Sequence, residues 1–492
     1  MKNISKNKRV KIFFILRSAA GLFLTIFFSG LAKQGYKYYF IRETTEIQKE
    51  NIMLNLHKMP EFTFPENFIW GSGSAAHQIE GDNYNNQWYH MEQNNSNPAI
   101  KEPSGKACNS WEMLDEDIAL LKELGHKGYR FSVEWSRIEP ENGRFDHAAL
   151  ARYIDFLQKL KNAGIHTCVT LLHFTHPQWF ENLGGFTKEE NIRYFTAFIQ
   201  FIVPHLTPYT DSWTVVNEIN LGSVSDIQKR KILLKAFAYG SAVVKNFSSA
   251  PVSAAHALIP CYPLRPYDDM DIAAAHLSNW VTNDYFFHAV RTGEIVLPQT
   301  DGEYVPELKN SCDFWAINYY HRRQIDSRKA NLAADKFYFN NFRMCLDQAV
   351  DREFNPEVFV NAVSRLTDKP IWITENGVCT DTDEFRIIYL MLQFQAMQTA
   401  MTLHKADICA YFHWSLLDNY EWGSFDMRFG LASVDRKTFR RTPKKSAYFY
   451  KDVIRNNAVS GKLFEEHTPT IPHFDLMDMA CRKTILSKET QA

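Results

Sequence analysis

The stretch His166-Thr-Cys-Val-Thr-Leu-Leu172 is a short run of apolar and β-branched residues, and Trp213-Thr-Val-Val-Asn217 is a second run of the same kind. Residues 189–206, which lie between them, repeat apolar side chains at helical spacing. A strand that is followed by a helix and another strand is typical of a parallel βαβ unit. This stretch therefore predicts two neighbouring parallel strands joined by a helix that covers one face of the sheet.

The same alternation continues on both sides of this unit. Strands are predicted at 68–71, 128–135, 166–172, 213–217, 252–259, 314–319, 371–374 and 408–414, and helices at 114–124, 148–162, 189–206, 230–246, 272–290, 356–366 and 384–404. A length of 492 residues alone would suggest about three domains. Eight strands separated by helices instead predict one α/β domain, a single closed (β/α)8 TIM barrel, over residues 51–457. Residues 458–492 are expected to form a polar C-terminal extension.

Polar and aromatic side chains gather where the predicted strands end. His173, Glu218, Glu375 and Trp414 each stand at or directly after the end of an apolar run. In a barrel of this class the active site is built on the loops that follow the strands. We therefore expect these side chains to form the rim of one active site.

Two glutamates at this rim end similar runs. Glu218 ends Trp213-Thr-Val-Val-Asn-Glu218 and Glu375 ends Ile371-Trp-Ile-Thr-Glu375, and an Asn stands beside each. Strands four and seven face each other across the mouth of a barrel, so the two carboxyl groups are expected to approach. Carboxyl groups about 5–5.5 Å apart are typical of a retaining glycosidase, in which one is the nucleophile and the other is first acid and then base. A helix cap or a surface ion pair explains either glutamate alone, but not the pair.

The segment 411–422 interleaves aromatic rings with polar side chains. Trp414, Tyr420 and Trp422 alternate there with Asp418, Asn419 and Glu421. Aromatic faces pack against the C–H face of a pyranose ring, while carboxylates and amides hydrogen-bond its hydroxyl groups. The formal charge of −1, from 55 basic and 56 acidic residues, argues against nucleic acid or another polyanion as a partner. Together these features favour an uncharged carbohydrate substrate over a packed aromatic corner.

Histidines 166, 173 and 176 invite comparison with a metal site. Zinc sites add a third ligand and a supporting carboxylate, and the sequence has neither an HExxH motif nor a Cys pair at ligand spacing. We therefore predict no metal, and expect His173 to hydrogen-bond either the sugar or a loop.

Residues 1–50 are predicted to lie outside the barrel. Five basic residues precede the hydrophobic run 12–31, which only Arg17 interrupts. The run approaches the roughly twenty residues that span a bilayer, so we expect a membrane anchor, with a cleaved signal peptide as the alternative. The greater positive charge before the run predicts the N-terminus inside and the main body outside the cytoplasm. The oligomeric state is not indicated by the sequence.

From about residue 62 to residue 450 the chain resembles the family 1 glycoside hydrolases, the β-glucosidase and β-galactosidase family. The motifs that carry the resemblance, in order, are 64–81, Tyr129-Arg-Phe-Ser-Val-Glu-Trp-Ser-Arg137, His173-Phe-Thr-His-Pro-Gln-Trp179, Asn217-Glu218, Asn318-Tyr-Tyr320, Ile373-Thr-Glu-Asn-Gly377 and Trp414-Ser-Leu-Leu-Asp-Asn-Tyr-Glu-Trp422. The resemblance implies a retaining β-glycosidase that releases a non-reducing terminal glucose, galactose or fucose and needs no cofactor.

The resemblance also implies a role for each motif residue. Glu375 is the expected nucleophile and Glu218 the expected acid/base, which must stay protonated near neutral pH. The expected substrate-binding residues are Gln78, His173, Asn217, Trp414, Glu421 and Trp422. Arg130 and Tyr320 are expected to orient the nucleophile, because a cation and a phenol donor both favour an ionised carboxylate.

Two features separate this chain from parts of the family. Ile219 follows the acid/base glutamate where the family usually has Pro. Family members that act on 6-phosphorylated sugars lack the glutamate at position 421 and carry a Lys soon after it, whereas this chain has Glu421 and no such Lys. Two alternatives remain: a membrane-tethered sugar-binding protein on an inactive barrel, and a 6-phospho-β-glycosidase.

Overall fold

The structure of the chain is a computed structural model that describes residues 56–94, 97–221, 226–328 and 356–469. The predicted N-terminal segment 1–50, with its hydrophobic run 12–31, lies outside the described residues, as do residues 470–492 of the predicted extension. Within the described ranges no helix has both the length and the apolar character needed to cross a membrane.

Eight parallel strands close into a barrel, in which each strand pairs with the next and the last pairs with the first. The strands are β1 (Ile69–Gly73), β2 (Gly128–Ser132), β3 (His166–Leu172), β4 (Ser212–Asn217), β5 (Val252–Ala257), β6 (Trp315–Asn318), β7 (Ile371–Asn376) and β8 (Ile408–Trp414). Helices surround the barrel, so the predicted (β/α)8 architecture is confirmed.

The principal helices follow the strands along the chain. They are α1 (Leu114–Glu123), α2 (His147–Asn162), α3 (Ile192–Leu206), α4 (Ile227–Phe247), α5 (Asp269–Asn279), α6 (Tyr285–Thr292), α7 (Pro356–Val363), α8 (Asp383–Leu403), α9 (Lys445–Asn456) and α10 (Gly461–His467). Aspartates begin several of them: the carboxylate of Asp146 accepts from the backbone N–H groups of Ala148 and Ala149, which satisfies donors that the helix leaves unpaired.

The helix predicted at 272–290 is helical along its whole length, but a π-helical turn, Trp280–Asp284, interrupts it between α5 and α6. Asn279 is the last residue before this turn, and Asn283 lies within it. Their side-chain amides hydrogen-bond backbone groups of Cys261 and Ile259, beyond the end of β5. The wider turn places both amides toward this backbone segment, which borders the mouth of the barrel.

Several predicted strand ends differ from the observed ones, and three of them lie near the polar residues at the mouth of the barrel. β7 continues past residue 374 to Asn376, because Glu375 pairs with Asn318 of β6 and Asn376 pairs with His413 of β8. β1 likewise continues to Gly73, opposite Trp414. β2 ends at Ser132 rather than at 135, since the short helix Trp135–Ile138 begins there. The catalytic-motif side chains on β7 are therefore held within the sheet.

The interior is a layer of apolar side chains between the strands and the surrounding helices. Trp213 on β4 and Trp315 on β6 are fully buried within it. Most barrel strands are buried along their whole length, which matches the continuous apolar runs in the sequence.

Residues 458–469 belong to the barrel body, whereas the sequence assigned them to the extension. The strand Ala458–Val459 pairs antiparallel with Phe62–Thr63. Val459, Leu463 and Phe464 are buried in the core. The strand and the apolar face of α10 pack against the core of the barrel body. The domain boundary predicted after residue 457 therefore falls inside a packed unit.

Candidate active site

Glu375 stands near the C-terminal end of β7 and is held by two donors. Nη1 of Arg130, from β2, donates to Oε1 over 2.6 Å, and the hydroxyl of Tyr320 donates to Oε2 over 2.8 Å. Burial raises the pKa of Glu375 above its ordinary value, and both donors counteract this rise because they stabilise the charged form. The pKa of Tyr320 is raised well above its ordinary value by burial and by Glu375, so its phenol remains a donor.

Gly377 allows the backbones of β7 and β8 to meet close to this carboxylate. A Cβ atom at this position would lie 1.9 Å from the carbonyl oxygen of Trp414. No side chain fits at that distance, which gives a packing reason for the glycine that follows Glu375-Asn376 in the sequence.

Glu218 follows β4 and is buried beside the same cleft. Its Oε1 accepts from the side-chain amide of Asn318 over 2.9 Å. Burial first, and the charge of Glu375 second, raise the pKa of Glu218 to about 8. Because Arg130 contacts Glu375 and not Glu218, we assign the shared proton of this carboxyl pair to Glu218.

The chain leaves β4 through an unusual backbone conformation. Glu218 has a φ of +47°, and the N–H of Leu221 closes the turn by donating to the Glu218 carbonyl over 2.9 Å. Ile219, which stands where the family usually has Pro, is buried. The carboxyl group of Glu218 nevertheless faces the cleft and the Asn318 amide.

Asn217 connects the groups around the two carboxyls. Its Oδ1 accepts from Nη2 of Arg130 over 2.6 Å and from the Asn318 amide over 3.1 Å. Its Nδ2 lies 3.2 Å from Nε2 of His173. Burial lowers the pKa of His173 well below its ordinary value, so the ring is neutral and Nε2 can accept this hydrogen bond.

Glu421, Gln78 and Trp414 form a polar group at the opposite side of the cleft. Oε1 of Glu421 accepts from the indole N–H of Trp414 over 2.9 Å, and Oε2 accepts from the Gln78 amide over 3.1 Å. Burial raises the pKa of Glu421 to about 8. The oxygen of the Gln78 amide is buried and has no protein hydrogen-bond partner, so it is available to a ligand hydroxyl.

Three rings stand parallel beside this group. The His173 ring lies 5.9 Å from the ring of Trp414, at an angle of 18°, and 6.0 Å from that of Trp422, at 14°. Parallel aromatic faces in a cleft fit the flat C–H face of a sugar ring.

The cleft has a volume of about 580 Å³, within the range of small-molecule sites. It is lined by eight of the ten predicted residues, namely Gln78, His173, Glu218, Tyr320, Glu375, Trp414, Glu421 and Trp422. Arg130 and Asn217 do not line it, but both touch the lining through the hydrogen bonds described above. The structure thus brings all ten side chains together, and their roles stay predictions.

Sequence reasoning missed several lining residues. Asn318 was noted at a strand end but was not assigned to the site, although it bonds Glu218 directly. The apolar lining residues Phe174, Leu221, Leu258, Ile259, Met427 and Phe429 carried no signal that separates them from ordinary core residues.

The three histidines considered as metal ligands have separate partners. His166 lies 3.0 Å from the Ser212 hydroxyl, His176 lies 2.8 Å from the Glu181 carboxylate, and His173 contacts Asn217. Across residues 56–469, as far as the structure describes them, no cluster of His, Cys, Asp or Glu has the arrangement of a metal site.

A buried carboxylate held by a cation, a second carboxyl that keeps its proton, and a wall of parallel rings can together cleave a glycosidic bond.

Comparison with known proteins agrees with this chemistry. The chain is 29% identical over 461 residues to β-glucosidase A of Acetivibrio thermocellus, which covers 81% of this chain and all of that protein. It is 28% identical to a 6-phospho-β-galactosidase of Streptococcus equi subsp. zooepidemicus, over 80% of this chain and 99% of that protein.

Among solved structures, a β-glycosidase from Pyrococcus horikoshii superposes with a TM-score of 0.73 at 31% identity, over 84% of this chain and 99% of that one. The model of the family described as glycosyl hydrolase family 1 matches residues 61–459. The fold, the site and these likenesses together show that the chain belongs to glycosyl hydrolase family 1 and is a β-glucosidase-like glycosyl hydrolase.

Proposed function

We propose that the protein hydrolyses the non-reducing terminal β-linked sugar of unphosphorylated glycosides, with retention of configuration at the anomeric carbon. One observation carries the proposal: the carboxyl groups of Glu218 and Glu375 line one cleft, and the Arg130 cation pairs with Glu375 and not with Glu218. Arg130 and Tyr320 favour the charge on Glu375, and burial beside that charge keeps the proton on Glu218.

In the first step, an oxygen of Glu375 attacks the anomeric carbon and forms a glycosyl ester. The bond from that carbon to the leaving oxygen breaks, and the proton of Glu218 passes to this oxygen. Asn217, which directly precedes Glu218, is proposed to hydrogen-bond the sugar hydroxyl next to the anomeric carbon. Loss of negative charge at Glu375 removes one of the causes that raise the pKa of Glu218, which makes Glu218 ready to act as a base.

In the second step, ionised Glu218 takes a proton from water, and the water oxygen attacks the anomeric carbon. The bond to Glu375 breaks, so the carboxylate returns to its starting state beside Arg130. The two displacements invert the centre twice, and the released sugar keeps the β configuration.

Glutamate 421 favours a neutral sugar over a phosphorylated one. Its carboxyl group is buried against Trp414 and Gln78, and a phosphate placed there would face another acid. The resemblance to a 6-phospho-β-galactosidase makes the comparison of phosphorylated and plain substrates a necessary assay. Faster turnover of the 6-phosphorylated substrate would overturn this part of the proposal.

The test uses nitrophenyl β-glucoside, β-galactoside, β-fucoside and β-mannoside as substrates. Glu375→Gln and Glu218→Gln are each expected to lower kcat at least about 10⁴-fold on the best substrate. Glu141→Gln is the matched control, because this glutamate is exposed and pairs only with exposed Arg144. Full activity in either cleft variant would refute the mechanism. Sugar binding by the native protein without turnover of any substrate would favour the inactive-barrel alternative.

We also propose that the hydrophobic run 12–31 holds the catalytic body outside the cytoplasm. The basic residues before the run and its near-spanning length support this orientation. Alkaline extraction of membranes should leave the full chain in the pellet, and protease added to intact cells should digest residues 56–469. Recovery of the chain in the soluble fraction with residues 1–31 still attached would contradict the proposal.

A further inference from the structure

The two sides of the cleft differ in chemistry. The groups that we assign to sugar binding come from the ends of β1, β3 and β8: Gln78, His173, Trp414, Glu421 and Trp422. The opposite side follows β4 and β5 and carries three aliphatic residues, Leu221, Leu258 and Ile259, which we name the aliphatic wall. Glu218 directly follows β4, on the same side as this wall.

The position of Glu218 identifies what the aliphatic wall would contact. Because Glu218 gives its proton to the leaving oxygen, the group attached to that oxygen must lie on the Glu218 side of the cleft. The N–H of Leu221 donates to the carbonyl of Glu218, so this wall residue is fixed to the acid itself. The wall therefore borders the leaving group rather than the sugar that is being transferred.

Two of the three residues of the aliphatic wall, Leu258 and Ile259, are held by backbone hydrogen bonds. The side-chain amide of Asn283 binds Ile259 on both sides of its backbone, donating to its carbonyl over 2.8 Å and accepting from its N–H over 2.9 Å. The N–H of Leu258 donates to the carbonyl of Asn318 over 2.9 Å. Both wall residues are 4% exposed. Leu258 and Ile259 are therefore fixed through their backbones and present apolar side chains to the cleft.

Polar side chains are few on this side. Among the lining residues that the structure describes, His321 is the polar one that follows β6 beyond the catalytic Asn318 and Tyr320. A second sugar as the leaving group would bring several hydroxyl groups against the wall, and each unpaired hydroxyl costs binding free energy. An alkyl or aryl group would instead remove its own apolar surface, and the exposed part of Leu221, from water.

We infer that Leu221, Leu258 and Ile259 select glycosides whose leaving group is a hydrophobic alcohol, alkyl or aryl, over disaccharides. The inference rests on the proposed glycosidase function, because it assigns the leaving-group side from the role of Glu218. It adds the chemical class of the group that is released.

The test compares methyl, propyl and hexyl β-glycosides of the sugar that the nitrophenyl panel favours, together with its β-1,4-disaccharide. Simple alkanols have nearly equal acidity, so this series varies contact with the wall and leaves the chemistry of departure unchanged. We expect kcat/KM to rise about two- to fourfold per methylene group until the wall is covered. The disaccharide should have a lower kcat/KM than the hexyl glycoside.

Two variants separate the wall from other causes. Ile259→Asn and Leu221→Gln should each flatten the rise with chain length, and Leu221 offers the second variant because it is only partly buried and better tolerates a polar group. Leu277→Gln on α5 is the control, since this leucine is 50% exposed and does not line the cleft.

The outcomes of this test are distinguishable from failure of the function itself. A flat dependence on chain length in the native protein, or a disaccharide that is hydrolysed faster than the hexyl glycoside, would overturn the inference while leaving the glycosidase intact. Unchanged slopes in both wall variants would also overturn it. Absence of turnover on every nitrophenyl glycoside would instead refute the proposed function.

Discussion

Arg130 and Glu375 form a buried ion pair in which Nη1 lies 2.6 Å from Oε1, and the arginine side chain is fully enclosed. The same guanidinium also donates to Asn217 and so connects β2 to the ends of β4 and β7. A charge in this position fixes the protonation state of the nucleophile and the geometry of its neighbours. Several predictions about activity and stability depend on it.

Replacing the arginine tests its charge directly. Arg130→Gln removes the cation, so the pKa of Glu375 rises and the acid limb of the kcat/KM profile moves to higher pH. Activity at the optimum should fall at least about 100-fold, because two hydrogen bonds to the site are lost. Arg144→Gln, which breaks an exposed pair with Glu141, should leave the profile unchanged. An unshifted acid limb in Arg130→Gln would show that Glu375 is not the group that titrates there.

The phenol that binds the other oxygen of the nucleophile is expected to act in the same direction. Tyr320→Phe removes one hydrogen bond to a charged acceptor, which corresponds to a loss of about 10–100-fold in kcat/KM. The acid limb should move upward by less than in Arg130→Gln. Tyr448→Phe at the surface serves as the control. If KM and kcat both worsened by the same factor and the acid limb did not move, the loss would come from a packing defect instead.

The pH dependence of the native protein follows from Glu218. Its pKa is raised to about 8, and the first step requires its proton, so kcat/KM should decline above about pH 8. In Glu375→Gln the neighbouring charge is gone, and the pKa of Glu218 should fall while burial keeps it above 4.5. Infrared or NMR titration of the carboxyl group in that inactive variant measures the shift. A pKa that stays at about 8 would assign the whole rise to burial.

Stability should also depend on pH through Glu421. Its pKa is raised by burial from 4.5 to about 8, so the folded state binds more protons than the unfolded chain between these values. Stability therefore falls as pH rises through this window. Glu421→Gln keeps the hydrogen-bond acceptor for Trp414 and cannot ionise, so at pH 9 it should be more stable than the native protein by roughly 1–4 kcal/mol.

Denaturant unfolding at pH 5 and pH 9 measures this difference. At pH 5 the native protein and Glu421→Gln should have similar free energies of unfolding, and only at pH 9 should they separate. Activity should fall in the variant at both values, because an amide NH2 group replaces one of the two carboxyl oxygens beside Trp414 and Gln78. A stability gap that is the same at both pH values would exclude ionisation of Glu421 as its cause.

The loop after Glu218 should control acid catalysis through Asn220. This buried side chain donates to the carbonyls of Ala257 and Thr282, and the backbone carbonyl of Asn220 accepts from Arg230. Asn220→Ala should loosen the loop and lower kcat/KM more for an alkyl glycoside, which needs protonation, than for a nitrophenyl glycoside, which needs little. Asn162→Ala at the exposed end of α2 is the control. Equal losses on both substrates would mean that Asn220 does not position Glu218.

The barrel was predictable from sequence because the buried strands are continuous apolar runs and the helices repeat apolar side chains at helical spacing. Glu218 and Glu375 were visible for the same reason: a carboxyl group at the end of such a run interrupts it. The π-helical turn was not predictable, because it depends on side-chain hydrogen bonds from Asn279 and Asn283 to backbone groups 18 and 24 residues earlier in the chain. The aliphatic wall was hidden as well, since leucine and isoleucine in a loop look like any other core residues.

The strand Phe62–Thr63 pairs with Ala458–Val459, and Gly461 donates to the carbonyl of Met59 just outside that pair. The two ends of the barrel body are thus neighbours in space although nearly 400 residues separate them. A short peptide could join them, and a new pair of ends could be opened in an exposed loop such as the one at Gly143. The cleft should therefore still form when the eight βα units are linked in a circularly permuted order.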